Sequence, residues 1–410
     1  MTWTCGSNKL TVLVGAGGSI ELGMPGTFDA TNDLIAVDPN ETNDPFLRDD
    51  KEILRGVYQA INGYYAAPNF EHMLHALEAI SSLELSWRGA AEKFRVVYGR
   101  FSAPRADVHN LFDRQLLHHA TQHLIKRLHY LFLNPSNSAK SNRNWALYEG
   151  FWRKLFSKFS LDVATTNYDT LIEQSLPSLE QGFRPVDGEE TLRFAPRQLG
   201  QAKNRLIHLH GSLHFGYRTG VTSEEVNRFV YEDESEDLYW HRDPADAVQT
   251  WGVRSNSVSQ AGEETVVGGL ITGMQKANKL LVAEPYLTYQ RIFGQMAQDN
   301  PRLLVIGYGF GDHHLNQLVS RMTRWHGKDR RVALITWCPE KEWFRRHHSH
   351  ENLNEIMCVE RWSEENEPWL DGMMNYAPVW TSKNGLVRIY TVGLLNTARE
   401  YLDDLISFLH

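Results

Sequence analysis

The sequence predicts an α/β protein: a doubly wound parallel sheet of about six strands, a helical insertion and a C-terminal strand–helix extension. Three observations predict it. Six short, nearly continuous Val/Ile/Leu runs are bounded by turn residues, as strands buried on both faces require. Most are followed by helix-patterned text. Between the first and second runs lies a long stretch with helical periodicity and few strand features.

The six runs are "LTVLVGAG" (Leu10 to Gly17), "LDVATTN" (Leu161 to Asn167), "RLIHLHG" (Arg205 to Gly211), "KLLVAEP" (Lys279 to Pro285), "RLLVIGYG" (Arg302 to Gly309) and "RVALITW" (Arg331 to Trp337). The helical insertion covers about 45–158. In it, "NFEHMLHALEAI" puts Phe70, Met73, Leu74, Leu77 and Ile80 on one face. A polar stretch at about 216–278, with "EDESED" at Glu232 to Asp237, reads as a loop insertion. The strand "GLVRIYTV" (Gly385 to Val392) and the amphipathic "NTAREYLDDLISFLH" (Asn396 to His410) close the chain. Residues 1–340 are therefore expected to form the main, sheet-bearing domain. Residues 341–410 are expected to be an extension packed on the core or in an oligomer contact.

Composition excludes several classes. The chain has 410 residues, 42% of them hydrophobic, enough for one large core or two moderate ones. Its net charge of -8 provides no global basic field, so direct nucleic-acid binding is not expected, while a local basic patch stays open. The three cysteines, Cys5, Cys338 and Cys358, form no C-x-x-C pair, which argues against a disulfide framework or zinc ribbon. A reducing, cytoplasmic setting fits. No apolar run reaches the roughly 18 residues of a membrane span, and the N-terminus has no signal-peptide core.

In an open parallel sheet, ligands bind beyond the carboxyl ends of the strands, so the text after each strand carries the chemistry. After the first comes "GAGGSIELGMPGTF", where Gly15, Ala16, Gly17 and Ser19 suit backbone approach to a phosphate. After the second come Thr165, Thr166, Asn167, Tyr168 and Asp169, more polar groups than one helix cap needs. An amide both donates and accepts, so Asn167 can hold a ribose hydroxyl or a water. After the third come His208, His210 and His214. His210, before Gly211 at a strand end, can face a cleft as a base. No Cys or Glu ligand stands beside these histidines, and no metal is expected. After the fifth comes "GYGFGDHHL", a second glycine-rich turn with Asp312 as a helix cap. Two such turns on one sheet suit the two halves of a dinucleotide.

Taken in order, "GAGGSIELGMPGTF", "TTNYD", "HLHGS" and "VIGYGFGDHHL" resemble the motifs of the sirtuin family, over roughly half the chain. The resemblance implies a Rossmann-like NAD-binding domain. Gly15, Ala16, Gly17 and Ser19 would cradle the pyrophosphate, and Pro25 and Thr166 would be further cofactor-binding residues. Asn167 and Asp169 would hold the nicotinamide-side ribose and a water, and His210 would be the catalytic base. Gly307, Tyr308 and Gly309 would line the adenosine side, and Asp312 would be a further cofactor-binding residue. The four zinc-binding cysteines of protein deacetylases of this family are missing after the His-Gly, and the Arg that follows Phe in "PGTF" is replaced.

The chain is more similar to the sirtuin-like NAD+ hydrolases of bacterial anti-phage defence, which lack the zinc ribbon and carry a helical insertion. Its length resembles that of the subunit partnering a HerA-type hexameric ATPase. That likeness implies cleavage of NAD+ to nicotinamide and ADP-ribose, NAD+ as substrate rather than resident cofactor, and a homo-oligomer. An NAD-dependent protein deacylase and a non-catalytic ADP-ribose or nucleotide sensor stay open as alternatives. A hydride-transfer dehydrogenase fits less well, because the first loop lacks the G-x-G-x-x-G spacing.

Overall fold

The computed structural model describes residues 8–36, 45–65, 68–86, 114–186, 190–217, 237–254, 269–271, 280, 283–337, 378–382 and 384–410. Its strands, in chain order, are β1 (Lys9–Val14), β2 (Ser160–Thr165), β3 (Phe183–Pro185), β4 (Leu192–Phe194), β5 (Arg205–His208), β6 (Phe215–Gly216), β7 (Tyr239–Trp240), β8 (Arg302–Ile306), β9 (Arg331–Ile335), β10 (Val379–Thr381) and β11 (Val387–Tyr390). The helices are α1 (Thr27–Ile35), α2 (Pro45–Ile61), α3 (Phe70–Ser86), α4 (Arg114–Ser138), α5 (Trp145–Lys158), α6 (Leu171–Ser175), α7 (Pro196–Gln201), α8 (Pro244–Arg254), α9 (Tyr286–Asp299), α10 (His313–His326), α11 (Leu394–Asn396) and α12 (Leu402–Leu409).

The main sheet has seven strands in the order β10-β11-β9-β8-β1-β2-β5. All neighbours run parallel except the edge pair β10–β11. The chain steps outward from β1 through β2 to β5, then returns to the other side of β1 to lay down β8, β9 and β11. The strand order therefore reverses between β1 and β8, the place where open α/β sheets bind ligands.

Alternation along each strand divides the core into two layers. Leu13, Ala164, Ile207, Leu303, Val305 and Leu334 face one side. There they meet α2, α3 and α4 through Leu54, Leu74 and Leu128, and α9 and α10 through Tyr289, Phe293 and Leu315. Leu10, Val12, Val14, Val163, Leu304 and Ile335 face the other side. There they meet α5 through Phe151, Trp152 and Leu155, and the C-terminal helices through Leu394, Leu405 and Leu409. The stretch expected to be one helical insertion thus serves both faces. Helix α5 is the crossover leading directly into β2, while α2 to α4 form a separate layer on the opposite face.

At the amino ends of β2 and β5 a buried carboxylate, Asp162, is gripped by Arg205. The guanidinium donates Nε to Oδ1 at 2.8 Å and Nη2 to Oδ2 at 2.6 Å. Lys9 adds its ammonium at 2.7 Å. This network lies at the end of the sheet away from the carboxyl-end loops and ties three adjacent strands together.

Three sequence expectations need correction. "KLLVAEP" is not a strand in its described residues: Leu280, Ala283, Glu284 and Pro285 form the entry to α9. Leu280 and Ala283 are buried, so the run is apolar, but Pro285 has no N–H for a ladder and Pro285 O starts the helix by accepting from Tyr289 N at 2.9 Å. A short buried apolar run does not by itself distinguish strand from helix entry. The outer parallel strand is β11 instead. The polar stretch at about 216–278 is also not all loop. Its described residues include β7 and α8, which pack through Tyr239, Ala247 and Val248. Strands β3, β4, β7 and β6 make a second, four-stranded antiparallel sheet that no sequence run announced, because each is only two or three residues long. The helix expected from Asn396 winds as a π-helix from Thr397 to Tyr401 before α12.

Candidate active site

The two glycine-rich turns meet at the reversal point between β1 and β8. Gly15 N donates to Ile306 O and Gly17 N to Gly307 O, each at 2.9 Å. A Cβ on Gly15 would lie 2.6 Å from Tyr308 Cα, and one on Gly17 would lie 2.8 Å from Gly307 Cα. These glycines are required because one turn rests on the other. Their N–H groups are engaged in that contact.

After β2, Thr165 Oγ1 accepts from Asn167 N at 3.0 Å, and Thr166 N donates back to Val14 O at 2.9 Å. Asn167 Nδ2 then reaches across to Ser19 Oγ at 3.0 Å. Ser19 also hydrogen bonds Asp169. Asp169 Oδ1 accepts from Leu171 N at 3.1 Å, which caps the short helix α6. Burial pushes the Asp169 carboxyl up to about 6, against the hydrogen bonds from Ser19 and Leu171 that favour its charged form. The two polar groups of the "TTNYD" turn thus divide the work. Asp169 caps the helix, and Asn167 joins β2 to the first glycine turn.

The three histidines after β5 go to three places. His208, on the strand, is fully buried, with Nε2 3.1 Å from both Gln181 Oε1 and Glu173 Oε1. His214 stacks on Trp240 at 4.1 Å and sets Nδ1 2.7 Å from His241 O. Only His210 lines the cleft. It is 3% exposed, and Nε2 lies 3.5 Å from Asp312 Oδ1. Gly211 makes the turn that follows: its φ is +99, and a Cβ there would lie 1.9 Å from Gly269 O. His210 O accepts from Ile271 N at 2.7 Å, fixing the histidine backbone. From the α2–α4 layer, His129 on α4 places Nε2 3.0 Å from Leu213 O. Burial lowers its pKa to about 4, so it stands there as a neutral imidazole.

In the second glycine turn, Gly307 and Phe310 both have φ of +56. Asn316 Nδ2 holds the strained Phe310 by donating to its carbonyl at 2.8 Å. Tyr308 lies buried beneath and places its hydroxyl 3.3 Å from Asp312 Oδ2.

All thirteen residues singled out in the sequence line one cleft of about 1070 Å³: Gly15, Ala16, Gly17, Ser19, Pro25, Thr166, Asn167, Asp169, His210, Gly307, Tyr308, Gly309 and Asp312. Thr165 and His208 are register partners at the ends of the adjacent strands β2 and β5, so Asn167 and His210 each lie two residues beyond that pair. The cleft also takes residues that sequence reading missed. Phe70 and Glu71 come from the start of α3, Phe132 from α4, His314 and Gln317 from α10, and Trp337 from beyond β9. Asn69 caps α3 by accepting from Glu71 N and His72 N at 3.0 and 3.1 Å, an Asn-x-x-His pattern readable as a helix start. Glu21, also in the lining, accepts from Leu395 N at 3.0 Å and so joins the first turn to α11. Among the described residues, no group of three or more His, Cys, Asp or Glu could hold a metal ion. No helix among them is long and apolar enough to cross a membrane.

With this geometry in view, the comparisons place part of the chain. Residues 162–356 match the family model of the SIR2-like domain, slightly less than half of the 410 residues. The match includes Asn167, Asp169, His210 and the turn at Gly307 to Asp312; the first glycine turn lies before it. Nothing among the curated proteins matches the chain. Similar solved structures include Sir2Tm bound to a propionylated peptide, 9% identical with a TM-score of 0.34, covering 97% of this chain and 94% of that one. A structure on the basis of sirtuin substrate affinity is 12% identical with a TM-score of 0.36, covering 97% and 95%.

Proposed function

We propose that the cleft binds NAD+ and hydrolyses its nicotinamide–ribose bond, giving nicotinamide and ADP-ribose. The observation that carries this is the placement of Asn167 and His210 at matching positions beyond adjacent strands, in a cleft walled by two glycine turns at the reversal point. The SIR2-like match fits NAD-dependent activity in general. The cleft volume of about 1070 Å³ is at the upper end of small-molecule sites, with room for a dinucleotide.

In the proposed reaction the C1′–N bond breaks and its electron pair stays with nicotinamide, which leaves neutral from a cation. Water adds to C1′ and gives up a proton to His210. The transition state is oxocarbenium-like, so the site must stabilise positive charge on the ribose and aim the water. The Asn167 amide, fixed by Ser19, suits aiming a water or a ribose hydroxyl. Asp169 would fix the ribose or offset the positive charge. General-base help from a positioned His is worth about a hundredfold to ten-thousandfold.

The test is to incubate the full chain with NAD+ and follow nicotinamide and ADP-ribose by mass spectrometry. Asn167→Ala and His210→Ala should each remove turnover while the fold persists. NAD+ loss only with an acyl-lysine peptide would give the deacylase reading instead. Binding without consumption would give the sensor reading. The finer reading of NAD+ depletion in cytoplasmic anti-phage defence, as a homo-oligomer working with a HerA-type ATPase, is supported by the motif resemblance alone. Mass photometry of the chain, with and without such an ATPase, and a phage-challenge assay test it.

A further inference from the structure

We propose that Asp312 is a positioning residue for His210: its carboxylate holds the imidazole at the cleft and offsets the charge of the imidazolium. The structural part stands on geometry alone; the catalytic consequence rests on the proposed hydrolysis.

Two independent observations carry it. The first is what Asp312 does not do. It occupies the N-cap position of α10, where an Asp side chain ordinarily accepts from the first N–H groups of the helix, yet its carboxylate makes no such bond. The second is where the carboxylate goes. Oδ1 faces His210 Nε2 at 3.5 Å, and Oδ2 is 3.3 Å from the Tyr308 hydroxyl. That hydroxyl also lies 3.3 Å from Asn316 Oδ1, and Asn316 is itself oriented by its bond to Phe310 O. Asp312 is thus held from behind by a buried Tyr and faces forward to a buried His.

A separation of 3.5 Å is longer than a formed hydrogen bond and close enough for an ion pair. Catalytic contacts often tighten only when the reacting complex forms. His210 is 3% exposed, so an imidazolium there has little water to stabilise it. A carboxylate beside it supplies that stabilisation. The other ionisable groups lining the cleft are Glu21 and Asp169 from the turns after β1 and β2, Glu71 from the start of α3, Tyr168 and Tyr308, and His313 and His314 from α10. The His314 ring centroid lies 6.5 Å from that of His210. Asp312 sets a carboxylate oxygen 3.5 Å from His210 Nε2, within ion-pair distance of the ring.

The experiment uses the full chain labelled with ¹³C-histidine. The His210 resonance is assigned by its loss in His210→Ala and titrated by NMR. In Asp312→Asn the His210 pKa should fall by about one unit or more, and in Asp312→Glu it should recover in part. Asp312→Ser guards against a folding failure, because Ser is a good helix cap that removes the charge. It should keep its melting temperature and show the same fall. An unchanged His210 pKa in folded Asn and Ser variants overturns the proposal. Where NAD+ is hydrolysed, the same variants should lower kcat about tenfold or more, shift the acid limb of the pH profile downward and leave KM within about threefold. A chain that never hydrolyses NAD+ would end the proposed function, while the titration would still decide the Asp312–His210 pair.

Discussion

Asn167 Nδ2 donates to Ser19 Oγ at 3.0 Å, and this bond joins the turn after β2 to the turn after β1. Ser19 is 2% exposed and also serves Asp169, so one hydroxyl orients both polar groups of the β2 turn. Replacing it by Ala leaves a buried amide and a buried carboxylate each short of a partner. Ser19→Ala should cost about 1–3 kcal/mol in urea denaturation. It should raise the Asp169 pKa further, since the lost bond favoured the charged form, and NMR titration of the carboxyl would read this.

Asp169 makes stability depend on pH with a defined sign. Its folded pKa of about 6 stands above the ordinary value of 3.8. The native state therefore binds the proton more tightly than the unfolded chain. The stabilisation from this proton is fully present below about 3.8 and is lost as pH rises through about 6. Two pH units correspond to roughly 3 kcal/mol at most. Asp169→Asn should therefore be more stable than the parent at pH 8, with the difference shrinking as the pH falls towards 4. Parallel urea titrations across that range measure it. A constant difference at every pH would refute the assignment.

Arg205 offers a stability test away from the cleft. Its bidentate grip on Asp162 is buried, so Arg205→Leu leaves a buried carboxylate with only Lys9. A loss of about 3 kcal/mol is expected in thermal or chemical denaturation. Turnover per folded molecule should be unaltered.

Two glycines in the loops should behave oppositely. Gly211→Ala meets Gly269 O at 1.9 Å with φ of +99 and should destabilise the loop that carries His210. Gly309 lines the cleft, and a Cβ there meets nothing within 4 Å. Gly309→Ala should leave the melting temperature unchanged. If the ligand approaches that backbone, it should raise KM for NAD+ several-fold.

Much of the sheet was readable because its strands are buried on both faces. Leu303 to Ile306 is an unbroken apolar run and Leu10 to Val14 is broken only by the buried Thr11, with turns that need glycine at their ends. The cleft was readable for the same reason: its residues follow directly on those strands. Residues that reach the cleft from helices were not readable. Glu71 and Phe132 belong to the α2–α4 layer, and nothing in their local sequence says that this layer leans over the strand ends. Within "HLHGSLH", spacing could not assign the histidines. His208 and His214 are diverted by Glu173, Gln181 and Trp240, partners that lie elsewhere in the chain or in short strands. Asp312 was readable as a cap by position, and its actual partner only from the fold.

The position of β1 has a consequence for biogenesis. It emerges first among the strands but sits between β2 and β8, so Lys9 pairs with Ser160 and Thr11 with Leu303. On the ribosome, one flank of this strand stays unclosed until the segment around 303 has been made. Contacts of such long sequence separation form slowly and leave an open strand edge meanwhile. Because the cleft straddles that seam, the nascent chain cannot assemble it before the segment through Ile306 has been translated.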